Sequence, residues 1–137
     1  MSCLFCDIAA HRVAAAIVYE DAEHIAILDH RPVFPGHVLL MPKQHVQTLA
    51  ELEGEQVGPF FQAAQRMERA VEKAMEADGS FIAINNVVSQ SVPHLHLHVV
   101  PRRRKDGLRG FFWPRGKYRD TEEQEAVAER IRKSLNA

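Results

Sequence analysis

The run Pro93-His94-Leu95-His96-Leu97-His98-Val99-Val100-Pro101 sets three imidazoles at alternate positions. An apolar/histidine alternation closed by two valines predicts a β-strand over 94–100. Residues two apart in a strand share a face, so His94, His96 and His98 form one row while Leu95, Leu97 and Val99 point to the other side. Imidazoles spaced about 7 Å apart along a pleated face suit metal binding or phosphoryl chemistry. A second group of donors stands near the start of the chain, where Cys3-Leu4-Phe5-Cys6 has the spacing of two zinc ligands from one turn. Two reduced thiols and a redox pair are the competing readings. A redox pair wants a strand before it, for which the sequence ahead of Cys3 leaves no room.

The elements that must position these residues are legible in outline. Residues 3–10 make a short helix or turn. Ala16–Glu20 and Ile25–Asp29 read as a hairpin turned at Asp21-Ala22-Glu23. Two prolines and a glycine make 31–36 a loop, and His37–Met41 is a third strand stopped by Pro42. From Glu55 to Ala77 the apolar positions Val57, Phe60, Phe61, Ala64, Met67, Val71, Ala74 and Met75 follow helical spacing, predicting a long amphipathic helix over one sheet face. Pro59 is tolerated by lying near its start. Phe81–Asn85 returns as a strand before the histidine strand. A last helix begins at the capping signal Thr121 with Gln124 and carries Val127, Ile131 and Leu135 on one stripe.

Composition bounds the function. A chain of 137 residues is long enough for one domain with a real core. A formal charge of −1 gives no general case for nucleic acid. No apolar run approaches the ~20 residues of a membrane span, and the N-terminus lacks a signal-peptide pattern. A cytoplasmic protein with reduced thiols is the expectation. One stretch is unlike the rest: between Arg102 and Arg119 eight residues are Lys or Arg against the single acid Asp106, with Phe111, Phe112 and Trp113 among them. It reads as a solvated charge run, a cradle for an anionic leaving group, a single-stranded nucleic-acid surface, or a segment packed on the domain or a partner subunit.

The segment His94–Val100 resembles the signature of the histidine triad (HIT) superfamily of nucleotide hydrolases and transferases. Asp29, the run Pro35-Gly36-His37-Val38-Leu39-Leu40, and Gln90-Ser91-Val92-Pro93 match the family's other blocks in order and spacing, so the likeness covers roughly residues 3 to 102. It implies an α+β fold: about five antiparallel strands, one long helix packed on the sheet and a C-terminal helix. The domain is 1–137, with its core at about 3–102 and a basic aromatic extension over 103–137. It implies that His96 attacks the α-phosphate of a purine nucleotide and forms a covalent nucleotidyl-histidine. His98 contacts the phosphate or leaving-group side, and His37 closes the phosphate pocket, with His94 the first of the triad. Asp29 accepts from the ribose hydroxyls, Gln90 and Ser91 bond the phosphate and leaving group, and Ile8, Val18 and Ile27 wall the base. One of Asn85 and Asn86 donates to the phosphate; which one is open, because the loop before the triad is about two residues shorter than usual and has no glycine.

In some bacterial members a structural zinc is held by positions matching Cys3, Cys6, His45 and His94, and family members often form homodimers. The resemblance implies no organic cofactor. Two other classes compete with a phosphoramidase or dinucleoside polyphosphate hydrolase. One is a zinc hydrolase whose three histidines hold catalytic metal. The other is a nucleotide-binding or scaffold protein with incidental turnover.

Overall fold

The computed structural model of the chain describes residues 2–109 and 115–135. A short helix, α1 (Leu4–Ala9), leads into the hairpin β1 (Ile17–Glu20) and β2 (His24–Leu28), then β3 (Val38–Pro42). A long helix, α2 (Gly54–Met75), separates these from β4 (Gly79–Ile84) and β5 (Leu97–Arg102). The five strands form one antiparallel sheet in the order β1-β2-β3-β5-β4.

Alternation along the three central strands makes the two faces different. Ala26, Val38, Leu40, Leu95, Leu97 and Val99 pack with Phe60, Ala63, Ala64, Met67 and Val71 of α2. Ile25, Ile27, Leu39 and Met41 point the other way, where Phe5 and Ile8 of α1 cover them. His37 and His98, two residues from Leu39 and one from Leu97, therefore lie on the α1 face. The expected histidine strand is corrected at its start: ladder pairing begins at Leu97, not at 94. His94 N–H turns back to the Val92 carbonyl and Leu95 N–H reaches the Val46 carbonyl beyond β3, yet the alternation of faces continues through them.

Gly36 has φ +95, and a Cβ built there would lie 2.5 Å from Cγ of Met75. Both the left-handed backbone and the approach of α2 demand glycine, and this is the residue that delivers His37 onto β3. Gly36→Ala is expected to destabilise by about 1–3 kcal/mol. Urea unfolding with an unchanged m-value checks it; an unshifted midpoint would mean that the turn relaxes freely. Val87 and Ser89 also adopt positive φ, 71 and 63, so the short loop before the triad makes left-handed turns without glycine.

The chain divides into two compact units, one ending at Asp106 and the other beginning at Gly107. The second holds α3 (Thr121–Leu135), capped by the Asp120 carboxylate on Glu123 N–H instead of by Thr121. Its Ile131 and Leu135 are exposed. Phe111, Phe112 and Trp113 lie outside the described residues.

Candidate active site

Fixed backbone groups assign the ring protons of the histidines on the α1 face, directly or through a neighbouring ring. His96 Nδ1 lies 2.7 Å from the His94 carbonyl, which can only accept, so Nδ1 carries the proton and Nε2 keeps its lone pair. His37 Nδ1 accepts Val33 N–H at 3.1 Å, which places its own proton on Nε2. That proton goes to His98 Nδ1, 2.9 Å away, and the His98 proton is thereby on Nε2. Among the described residues, His98 Nε2 is the one buried side-chain nitrogen or oxygen with no hydrogen-bond partner. A free lone pair on His96 and a free N–H on His98 thus stand on neighbouring rings, with centroids 5.0 Å apart.

Both rings open on a cleft of about 420 Å³. Its walls are largely apolar, among them Leu4, Phe5, Ile8, Ile27 and Leu39, with Asp29, His30 and Ser91 as polar members. Asp29 does two things at once: Oδ1 accepts Arg31 N–H at 2.9 Å in a turn, while Oδ2 faces His37 Nε2 at 3.7 Å. The structure therefore brings His96, His98, Asp29, Ser91, Ile8 and Ile27 around one cleft, with His37 behind His98.

Other expected site residues go elsewhere. A bulge between Ile17 and Tyr19 breaks the alternation of β1, and Val18 lines a separate cleft with Leu28, Val38 and Met67 of α2. The Gln90 amide donates to the Gln47 carbonyl at 2.8 Å, and Asn86 Oδ1 accepts Leu49 N–H at 2.9 Å. These two brace the short loop against the segment after β3. Asn85 is half-buried and does not line the cleft. Part of the basic run is engaged: Arg102 pairs with Asp106, and the Arg103 guanidinium caps the Met75 carbonyl at the end of α2. His24 is buried and bonded to Asp21 at 3.1 Å. Phe5 escaped the sequence reading; its only signal was helical spacing with Ile8.

His94 is turned away from the cleft. Its Nε2–H donates to the Pro42 carbonyl at 2.7 Å, which leaves the Nδ1 lone pair facing Cys3 Sγ at 3.4 Å and Cys6 Sγ at 3.5 Å. His45 Nδ1 lies 3.3 Å from Cys6 Sγ, and the four ligand atoms are all within 4.8 Å of one another. Tetrahedral zinc, with sulfur at ~2.3 Å and nitrogen at ~2.0–2.1 Å, sets S and N roughly 3.5 Å apart. The donor set fits that ion, and the Pro42 carbonyl orients the imidazole as metal-bound histidines require. The three triad histidines do not converge on one point, as a catalytic metal held by them would need.

The HIT domain profile matches residues 11–105, the span carrying the sheet, α2 and the histidine run. The chain belongs to the HIT family. An uncharacterized HIT-like protein of Mycobacterium tuberculosis is 41% identical over 110 residues, 79% of this chain and 76% of that one. The crystal structure of a HIT family member from Bacillus subtilis superposes with TM-score 0.87 at 32% identity, covering 97% and 96% of the two chains. A zinc-bound histidine triad protein from Mycobacterium smegmatis superposes with TM-score 0.74 at 37% identity, covering 98% of each. HIT relatives in Schizosaccharomyces pombe include an adenosine 5′-monophosphoramidase, 30% identical over 83% of this chain and 84% of that one. They also include an asymmetrical bis(5′-nucleosyl)-tetraphosphatase, 31% identical over 69% and 53%. The HIT family thus includes nucleotide hydrolases.

Burial within this HIT domain holds the rings uncharged. It is the largest cause depressing His37, His94 and His96, and together with His96 and His37 it takes His98 down to about 4. Asp29 pulls His37, His96 and His98 the other way, less strongly. The unfolded chain takes up these protons at the ordinary value near 6.5, and the folded one does so only at lower pH. The contribution of these rings to stability is therefore present in full above about pH 6.5 and is lost as pH falls through their lowered folded values, about 4 for His98. The urea midpoint should be lower at about pH 5 than at about pH 7.5. An unchanged midpoint would mean that the rings charge in the folded state without penalty.

Proposed function

We propose that this protein cleaves purine nucleotides at the α-phosphate through a covalent nucleotidyl-histidine, as a nucleoside phosphoramidase or dinucleoside polyphosphate hydrolase. One observation carries the reading: the unprotonated His96 Nε2 beside the unpartnered His98 Nε2–H, at the mouth of an apolar cleft. In the first step Nε2 attacks phosphorus, a P–N bond forms, and the bond to the amine or polyphosphate leaving group breaks. The leaving group departs with a proton drawn from solvent, which the attacking water returns in the second step. Water then attacks phosphorus, the P–N bond breaks, and AMP and the free imidazole result.

The remaining groups take roles set by their chemistry. His98 Nε2–H and the Ser91 hydroxyl donate to the phosphoryl oxygens where charge develops. His37 holds His98 in the donating tautomer. The Asp29 carboxylate accepts from the ribose diol, and the base lies on Ile8 and Ile27 with Leu4 and Phe5 beside them. Gln90 and Asn86 act by bracing the loop. The Cys3, Cys6, His45 and His94 site takes zinc as a structural ion that ties α1 to the segments after β3 and before β5. We place the protein in the cytoplasm as a homodimer. Among the described residues no helix is long and apolar enough to cross a membrane, and the outer strand β4 presents an exposed Ile82 at a free sheet edge.

The test is capture of the intermediate. The enzyme is quenched in alkaline denaturant, which spares the acid-labile P–N bond, within a turnover of adenosine 5′-phosphoramidate or a diadenosine polyphosphate, and its intact mass should rise by one adenylyl group on the peptide containing His96. A mass unchanged during active turnover would sink covalent catalysis, and the substrate with the higher kcat/KM decides between the two branches.

A further inference from the structure

His94 belongs to two arrangements at once. Its ring nitrogen faces the two thiols, while its backbone carbonyl receives the Nδ1–H of His96. Phe5, between the two cysteines in sequence, is 4% exposed and sets its ring nearly perpendicular to both histidines, 5.0 Å from His96 and 6.0 Å from His94. Cys3 also caps α1, its sulfur accepting Cys6 N–H at 3.4 Å. The turn that gathers the thiols is therefore the turn that brings Phe5 against His96.

Two physical points give this juxtaposition a consequence. A helix of six residues does not hold itself together, so α1 keeps its place only through Phe5, Ile8 and whatever fastens its first turn. An imidazole held by one hydrogen bond still turns about χ2 unless something packs on it. The rings that pack on His96 are Phe5 and His98, each at 5.0 Å. We propose that the Cys3-Leu4-Phe5-Cys6 turn, fastened by metal, is a positioning device for the active site: Phe5 and the His94 carbonyl together hold His96 with Nε2 presented to the cleft. Phe5 is a positioning residue here, and releasing the metal frees the ring. The inference rests on the reading of His96 as nucleophile.

The protein, labelled with 15N, is followed by long-range proton–nitrogen spectra of the histidine rings with zinc, after chelation, and as the variants His45→Asn and Phe5→Leu. His45 is exposed and touches neither His96 nor the cleft, so any effect of its loss on His96 passes through the metal site. In the zinc-loaded wild type, His96 should give one set of signals with the proton on Nδ1. Stripped protein, His45→Asn after chelation, and Phe5→Leu with zinc bound should each give a ring averaged between tautomers. In Phe5→Leu, kcat for AMP release should fall on the order of tenfold. Should the stripped protein unfold, zinc-loaded Phe5→Leu decides the matter by itself. Identical His96 signals in all folded forms overturn the proposal. His96→Ala separates the two claims. Turnover lost in His96→Ala, with the His96 signals unmoved across the stripped, His45→Asn and Phe5→Leu forms, overturns the positioning role alone, whereas turnover retained in His96→Ala overturns the nucleophile.

Discussion

Replacing His96 with alanine is expected to lower kcat for AMP release by about a hundred-thousandfold or more, leaving AMP binding nearly intact. The loss is large because no neighbouring group can substitute. His98 presents a proton at Nε2 and not a lone pair, and its Nδ1 is taken by His37. His94 has its lone pair turned to the thiols. Binding should persist because the proposed contacts at Ile8, Ile27, Asp29 and Ser91 are untouched. His98→Ala should cost less, roughly a hundred- to a thousandfold, as the loss of one donor to developing charge. Initial rates with and without chelator complete the measurement: stripping the metal should cost on the order of tenfold, as for a freed His96 ring, far less than the loss in His96→Ala. Residual turnover within tenfold of wild type in His96→Ala would remove the nucleophile from the scheme.

Stripping zinc, or replacing Cys3 with serine, is expected to lower the melting temperature by about 10–15 °C. A ligand present at about a thousand times its dissociation constant adds about 4 kcal/mol, and a chain of this length shifts by roughly 3–4 °C per kcal/mol. The effect stops short of unfolding because the sheet and α2 have their own core. Burial and the neighbouring Cys3 push the Cys6 thiol up to about 11 in the metal-free site, so binding zinc must release protons and should tighten steeply as pH rises. Thermal scans across a zinc series at two pH values check both statements. A melting temperature indifferent to zinc would mean that the four donors hold no ion in solution.

The two-sidedness of the sheet was readable wherever strict alternation held. Leu95, Leu97 and Val99 went under α2 and His98 faced the cleft, as period-two spacing requires. It failed at Val18, because a bulge inserts one residue without leaving a mark in composition. The burial of His24 is illegible for a related reason: it depends on the Asp21 carboxylate and on Phe60 of α2, whose ring lies 6.1 Å away, and pattern along β2 does not report either. The metal ligands lie far apart in the chain, and only the family likeness joined Cys3 and Cys6 to His45 and His94. Side-chain bonds to backbone, such as Gln90 to Gln47 or His94 to Pro42, had no sequence signal at all. They depend on where two loops meet, and tautomers follow from them.

The division of the sheet into a face of chemistry and a face of packing has a genetic reading. A point substitution in β3 or β5 damages one face and spares the other, so its harm is graded. Loss of a single codon within Val38–Pro42 or Leu97–Arg102 is different in kind, because every downstream side chain in that strand changes sides. Loss of codon 97 would turn Val99 into the cleft and His98 into the core under α2, destroying activity and stability together. Insertions and deletions should accordingly be confined to loops such as 85–91, while these two strands drift only by exchange of letters.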